Sequence, residues 1–240
     1  MRLVYKFRQH RTAQLDCLTR VSKILYNEGN YIIKQEMDKS GKWIWYAKLD
    51  KLLKNSSVNY RLLKAQTSQQ ILKLLDKSWK SFFKAFKDWK KYPEKYKAKP
   101  NPPYYKKKDG HFLLIFTNQN CKVESNRIIL TMSKKFKEKY PDFSNPIEIQ
   151  VPDYKGKSLD TFQHIRILPR RKFLEIEIVY LQEIKNSNLN YKAYFSIDLG
   201  VDNLITGVEN RNTYPLIISG RILKSLNQAW NKRRARSLRL

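Results

Sequence analysis

The sequence predicts an α+β fold, because helical and strand-like periods occupy different parts of its 240 residues. Apolar residues recur three, four or seven positions apart over roughly 12–37 and 58–91, which predicts two long helices. Prolines between 93 and 103 end this pattern. Alternation then predicts strands at 112–116, 127–132, 147–151, 164–168 and 173–181.

The order of these elements predicts a small β-barrel interrupted by helices. Residues 1–8 alternate between apolar and basic side chains, which predicts a first strand with one buried and one basic face. Five later strands without an intervening long helix favour a barrel. We therefore expect a first barrel strand at 1–8, a helical insertion at 9–92, a basic linker at 93–111 and the rest of the barrel at 112–190.

The last part of the chain has a different pattern. An apolar strand at 193–197 is followed by a turn at 198–203 and a second strand at 204–208. A third strand is expected at 214–219 and a helix at 223–240. A ribonuclease-H-like domain begins with its secondary-structure elements in this order, so we expect such a domain to begin within 191–240.

The charge indicates a polyanionic partner. The chain has 49 Lys and Arg against 21 Asp and Glu, a formal net charge of +28. Nucleic acid is the favoured partner, because phosphate neutralisation with counterion release dominates such binding. A membrane surface is the alternative, but the aromatic residues are not gathered on one amphipathic anchor.

The two cysteines provide neither a disulfide framework nor a Cys-x-x-Cys zinc site. The sequence also has no apolar span, which predicts an intracellular protein.

The helix at 58–91 carries a row of lysines beside its apolar stripe. At about 1.5 Å per residue the row is roughly 27 Å long, enough to follow several phosphates of a duplex. Few acids interrupt it, and the alternative is an ordinary solvated helix face. The expected phosphate contacts are Lys73, Lys77, Lys80, Lys84, Lys87 and Lys91.

The linker adds aromatic and basic groups. Two tyrosines precede three lysines, a combination that can stack on bases and pair with phosphates. The alternative is a flexible basic linker. The candidate contacts are Tyr104, Tyr105, Lys106, Lys107 and Lys108.

Asp198 is the candidate metal ligand and catalytic residue. It follows an apolar strand and precedes Leu-Gly, so its carboxylate is expected at a strand end, where it could hold Mg²⁺ or Mn²⁺. Two-metal hydrolysis needs further carboxylates, and only Asp202 and Glu209 follow. The alternatives are a turn-forming or capping role and an actin-like or sugar-kinase-like ATPase, which the charge disfavours.

Taken together, ordered segments of the chain resemble the TnpB/OrfB transposon family, relatives of the type V CRISPR effectors. The matching segments are 69–83, 105–110, 116–119, 196–204 and 219–228 leading into 231–234.

The resemblance implies a wedge-type barrel with a helical recognition insertion, followed by a RuvC-like nuclease domain. It implies a guide RNA, a double-stranded DNA target and a cytoplasmic, nucleoid-associated location. Asp198 would occupy the first RuvC carboxylate position and bind metal. Asn118 and Gln119, in a matching segment, join the expected nucleic-acid contacts.

The chain also departs from that family. Its later Glu and Asp motifs and its cysteine-rich zinc module have no counterpart here. We therefore expect the N-terminal portion of a transposase-associated, RNA-guided endonuclease that does not cut DNA alone. The alternatives are a nuclease-inactive RNA- or DNA-binding module, a repressor, or a decayed transposon fragment.

Overall fold

A computed structural model of the chain describes residues 1–124, 126–152, 161–183, 190, 192–211 and 214–237. The chain divides into two compact units, Met1–Glu183 and Ile184–Leu240. Parts of the predicted barrel region, the predicted start of the second domain at 191 and the last three residues of the predicted final helix lie outside the described residues.

The first unit mixes helices and strands, which confirms the predicted α+β class. Its helices are α1 (Ala13–Ser40), α2 (Tyr46–Ser56), α3 (Val58–Leu62), α4 (Ala65–Lys91) and α5 (Lys134–Lys139). Its strands are β1 (Arg2–Gln9), β2 (Leu114–Thr117), β3 (Cys121–Glu124), β4 (Arg127–Leu130), β5 (Ile147–Gln150), β6 (Phe162–Pro169) and β7 (Leu174–Leu181). The sequence analysis did not predict α2, α5 or β3.

Helix α1 has well-defined ends. Thr12 caps its start by accepting a hydrogen bond from the backbone N–H of Leu15. Gly41 ends it with φ at 66°, in the left-handed region that favours glycine, and its N–H donates to the carbonyl of Met37. Within the helix, a Cβ on Gly29 would lie 2.9 Å from a Leu75 methyl carbon, so glycine allows α4 to pack closely against α1.

The helix predicted over 58–91 is two helices. The chain leaves helical geometry at Leu63 and Lys64, both of which have extended backbone angles. The Ser57 hydroxyl caps α3, and the Ser68 hydroxyl of α4 donates to the Tyr60 carbonyl at 2.8 Å. The Ser133 hydroxyl also donates to the carbonyls of Arg61 and Leu62, so side chains satisfy the last carbonyls of α3 and stabilise the interruption.

The first strand joins strands that lie far along the chain. The larger sheet has the order β1-β7-β6-β2, and β1 pairs with β7 in an antiparallel register that places Phe7 opposite Ile176. Leu3, Tyr5 and Phe7 of β1 are half-buried on its core side, as predicted, and the basic residues are exposed together with Val4 on the other side. On the outer face, the buried carboxylate of Glu177 pairs with Lys6 at 2.8 Å and Arg166 at 2.6 Å.

The strands of the predicted barrel do not close into one barrel in the described residues. They form two sheets, because β3, β4 and β5 pair only with one another. The chain leaves the larger sheet after Thr117, where the Asn120 amide donates to the Thr67 hydroxyl of α4 at 2.9 Å. Helix α4 packs on β2, so β2 lies against a helix instead of against the smaller sheet.

Helices and sheets of the first unit share one hydrophobic core. Leu25 of α1, Leu72 of α4, Phe116 of β2, Ile128 of β4 and Ile176 of β7 all belong to it, and all are nearly or fully buried. The helical segment is therefore packed into the same core as the strands that flank it in sequence.

The second unit has the predicted order of elements. Its antiparallel sheet runs β10-β9-β8 and is followed by helix α6. The bounds are β8 (Phe195–Asp198), β9 (Asn203–Glu209), β10 (Leu216–Ser219) and α6 (Arg221–Ser237). The N–H of Gly220 donates to the carbonyl of Asp202 at 2.8 Å, which joins the start of α6 to the turn between β8 and β9. Among the helices described, none is both long and apolar enough to cross a membrane.

Candidate nucleic-acid interface

Helix α4 presents a continuous row of cations. Its apolar side is buried through Ile71, Leu72, Leu75 and Trp79, which fixes the orientation of the helix. The opposite side, here called the lysine face, is exposed to solvent. It consists of Lys73, Lys77, Lys80, Lys84, Lys87 and Lys91.

One edge of the lysine face interacts with the segment that precedes α2. The Lys80 ammonium lies 2.7 Å from the Asp76 carboxylate and 5.7 Å from the centre of the Trp43 ring. Lys73 lies 5.3 Å from the Tyr46 ring centre. The buried Asp76 also accepts a hydrogen bond from the backbone N–H of Tyr46. The positive charge of Lys80 is therefore partly neutralised by Asp76. Among the described residues, no acid pairs in this way with the lysines on the other edge of the face.

The other edge of the lysine face borders a groove. A cavity of about 630 Å³ separates α4 from the chain segment 100–113, and Lys77 and Lys106 both line it. A second cavity of about 640 Å³ lies further along α4 beside Lys84 and Lys91. Both cavities are lined by Ser81 and Ala85, so they form one groove along the helix.

The linker predicted at 93–111 is held against α1. We call residues 103–113 the strap. Asn30 donates to the Pro103 carbonyl at 2.9 Å, and Asn27 both donates to the carbonyl of Lys106 and accepts from its N–H. Lys23 donates to the Lys108 carbonyl at 2.7 Å. Three to four residues separate these anchors, so they share one face of α1, and the alternative of a flexible linker does not describe this segment.

The five candidate residues of the strap have different surroundings. The Tyr104 side chain is 71% exposed. Tyr105 lies beneath the Lys34 ammonium, 4.4 Å from its ring centre. Lys106 is half-buried, with its ammonium 4.6 Å from the ring centre of Tyr26, while Lys107 and Lys108 are exposed. Tyr104, Lys107 and Lys108 are thus accessible to a ligand, and Lys106 reaches the groove.

Asn118 and Gln119 lie in the turn between β2 and β3, and both are exposed. Gln119 accepts a hydrogen bond from the Gln66 amide at the start of α4. Gln66 precedes Lys73 by seven residues, or roughly 10 Å along the helix axis. The structure therefore places these two residues near one end of the lysine face.

The side chain of His111 anchors the C-terminal part of the strap. Its Nε2 lies 3.0 Å from an Arg11 guanidinium nitrogen, which can only donate, so Nε2 accepts and Nδ1 carries the proton. Nδ1 lies 2.8 Å from the Thr19 hydroxyl, which in turn donates to the Asp16 carbonyl. Burial and the nearby Arg11 lower the pKa of His111. No sequence spacing could have revealed this arrangement, because about ninety residues separate His111 from its partners.

Asp198 is the last residue of β8 and is exposed, as the sequence predicted for its position. Its register partner is Thr206, whereas Glu209 lies opposite Phe195. Positions 195 and 198 are an odd number of residues apart, so Glu209 projects from the other face of the sheet. Asp202 forms a 2.6 Å ion pair with Lys224. Neither acid shares a site with Asp198.

The described residues do not fit a two-metal site. Among them there is no group of three or more His, Cys, Asp or Glu side chains that could hold one metal ion. Asp198 could supply one oxygen ligand to Mg²⁺ or Mn²⁺, and the remaining ligands would have to be water or groups outside the described part of the chain. Its assignment as a metal ligand remains a prediction.

The chain was compared with protein families, curated proteins and solved structures. No protein-family model matches the chain, and no curated protein does. Solved structures that are similar at low identity include two Cas12f complexes. One is a CRISPR-Cas12f ternary complex, with 12% identity, a TM-score of 0.45 and coverage of 94% of this chain. The other is a Cas12f1-sgRNA-target DNA complex, with 16% identity, a TM-score of 0.42 and coverage of 99%. The chain spans 52% and 62% of the matched chains, respectively.

Proposed function

We propose that this chain binds nucleic acid through the lysine face of α4. The observation that carries the proposal is the row of six exposed lysines on one side of a helix whose other side is buried. In the described part of the chain, no salt bridge engages Lys77, Lys84, Lys87 or Lys91. Their charges are therefore available to phosphate groups.

The finer proposal is that the nucleic acids are a guide RNA and a double-stranded DNA target, as in the TnpB/OrfB family. The ordered sequence segments that resemble this family support it. Lys73, Lys77 and Lys80 of α4 lie within those segments, as does the turn at Asn118 and Gln119, and all five residues are exposed. In this proposal Asp198 is the first metal-binding carboxylate of a RuvC-like nuclease.

A second candidate is a binding module that does not cleave. Its support is the position of the acids around Asp198, because Glu209 projects from the opposite face and Asp202 pairs with Lys224. A lone carboxylate does not provide the paired metals that phosphodiester hydrolysis of this type requires. The two candidates agree on nucleic-acid binding and differ on whether another polypeptide segment completes the site.

The salt dependence of binding tests the lysine face. We would replace Lys77, Lys84 and Lys87 together with Glu and leave Lys80 unchanged, because it pairs with the buried Asp76. Each lost duplex contact should lower the slope of log K against log salt by about 0.9, so the slope should flatten by about 2–3.

The matched control changes three exposed lysines of α2, namely Lys48, Lys51 and Lys54, to Glu. It alters the net charge by the same amount without touching α4. If the control variant flattens the slope as much as the α4 variant, long-range charge explains the binding and the lysine face is not the contact surface.

A further inference from the structure

The groove beside the lysine face has a different chemistry from the face itself. Its sides include the half-buried rings of Phe82 and Phe112, together with Pro100 and Pro103, while the ring of Tyr26 is buried beneath them. Its second half is bordered by Tyr92 and Tyr96. A surface that contacted only phosphates would not require an aromatic and apolar hollow next to its cations.

The charge around the groove is almost entirely positive. Lys77 and Lys106 line its first half, and Lys84, Lys87 and Lys91 line its second half. Among the described residues that line it, Asp88 is the one acid, and it already accepts a hydrogen bond from the Tyr96 hydroxyl at 2.8 Å. An anionic ligand with apolar, planar parts would complement both features.

The size of the groove favours bases over a closed duplex. Its two cavities, of about 630 and 640 Å³, lie within the range of about 300–1,000 Å³ that accommodates small organic ligands, so each has room for a nucleotide base. The groove is open at Ser81 and Ala85, which are the two small residues common to both halves. Bases paired inside a duplex cannot enter such a hollow, whereas the bases of a single strand can stack on its aromatic rings.

We infer that the groove receives a single-stranded segment of nucleic acid, with bases between α4 and the strap and phosphates on the neighbouring lysines. The inference rests on the proposed function, because it assigns a strand state to the ligand of the same surface. Single-stranded RNA and single-stranded DNA share this chemistry, and the experiment includes both.

The test fills the groove without changing its charge. Ser81 is exposed, so Ser81→Trp can be accommodated in the folded protein while its ring occupies the junction of the two cavities. Ala85→Leu provides a smaller obstruction at the same junction. The matched control is Ala47→Trp on α2, which adds an aromatic ring at another exposed position.

Binding is measured by fluorescence anisotropy with the full chain. The probes are oligouridine and oligothymidine of about 12 nucleotides, a length within the usual range of single-strand sites, and a mixed-sequence duplex of equal length. We expect Ser81→Trp to weaken single-strand binding about tenfold, the size expected for loss of a base-stacking contact, and to leave duplex binding unchanged. The Ala47→Trp control should bind the single strands and the duplex with the affinities of the wild type. If Ser81→Trp weakens the binding of oligouridine more than that of oligothymidine, the groove receives RNA. The opposite result indicates that it receives DNA.

The outcomes separate this inference from the proposed function. If the wild-type chain binds none of the probes, the proposed function is wrong and the inference with it. If Lys77→Glu weakens binding but Ser81→Trp and Ala85→Leu, both folded by circular dichroism, bind single strands as the wild type does, only the inference is overturned. Equal weakening of duplex and single-strand binding by Ser81→Trp also overturns it.

Discussion

Replacing Trp79 tests how α4 is fixed in the first unit. The Trp79 side chain is 2% exposed and packs against Phe82 and Phe83, with ring centres 5.8 and 5.6 Å away. Its indole N–H donates to the Asn30 side-chain oxygen at 3.0 Å. The same asparagine holds the strap through Pro103. Trp79 therefore supports both the core and the segment that borders the groove.

Trp79→Ala should lower the free energy of unfolding by about 3–5 kcal/mol, because it leaves a cavity where a large aromatic side chain was buried. For a domain of 150–250 residues, each kcal/mol corresponds to about 2–4 °C in Tm, so the melting temperature should fall by about 6–20 °C. Trp79→Phe separates the contribution of the buried aromatic area from that of the hydrogen bond to Asn30. It retains most of the buried area and leaves the Asn30 oxygen without its donor, which should cost about 1–3 kcal/mol.

Thermal unfolding followed by circular dichroism measures these changes, and Trp45→Ala is the control. Trp45 is 59% exposed, so its loss should change the unfolding free energy by no more than about 0.5 kcal/mol. If Trp79→Ala melts within 2 °C or so of the wild type, or if Trp45→Ala proves the more destabilising variant, the assigned buried and exposed sides of this region are wrong.

Three further predictions concern other positions. Gly41→Ala should cost about 1–2 kcal/mol through backbone strain alone, since φ is 66° and no atom lies within 4 Å of the added carbon; an unchanged Tm would contradict this. Burial lowers the pKa of His111, with help from Arg11, and also that of His164, so the unfolded chain binds more protons and stability should fall as the pH drops below about 6.5. His111→Gln should reduce that dependence in urea unfolding at pH 7 and pH 5, and an undiminished dependence would mean that His111 does not contribute. With guide RNA and Mg²⁺ the chain alone should bind target DNA without cutting it, and cleavage that disappears in Asp198→Ala would show that other groups complete the site.

The helices and strands were largely predictable because their apolar residues are periodic. The pattern of β1 and the stripe on α4 each follow from residues that neighbour one another in the element itself. The break between α3 and α4 was missed, since the carbonyls near the end of α3 are satisfied by the hydroxyls of Ser68 and Ser133, which local periodicity does not reveal. Strand β3 was missed because Cys121–Glu124 contains two charged residues and is only four residues long.

The barrel was expected from the number of strands, but pairing is a property of distant residues. Whether β2 meets β3 or α4 is decided by contacts such as the one between Asn120 and Thr67, 53 positions apart. The surroundings of the lysines could not be predicted for the same reason. Sequence spacing placed Lys77 and Lys80 on one helix face, whereas only the structure shows that Lys80 pairs with a buried Asp76 and that Lys77 borders a groove.

Between Pro103 and Lys108, helix α1 holds the strap through hydrogen bonds to its main chain and not to its side chains. Asn27, Asn30 and Lys23 bind main-chain atoms of Pro103, Lys106 and Lys108, and every residue type has a carbonyl oxygen. The path of this segment is thus set by α1, while Tyr104, Tyr105, Lys107 and Lys108 can be exchanged without removing an anchor. An engineer who wished to alter what this surface recognises could vary these four positions as a combinatorial library, with the three anchoring residues of α1 held constant.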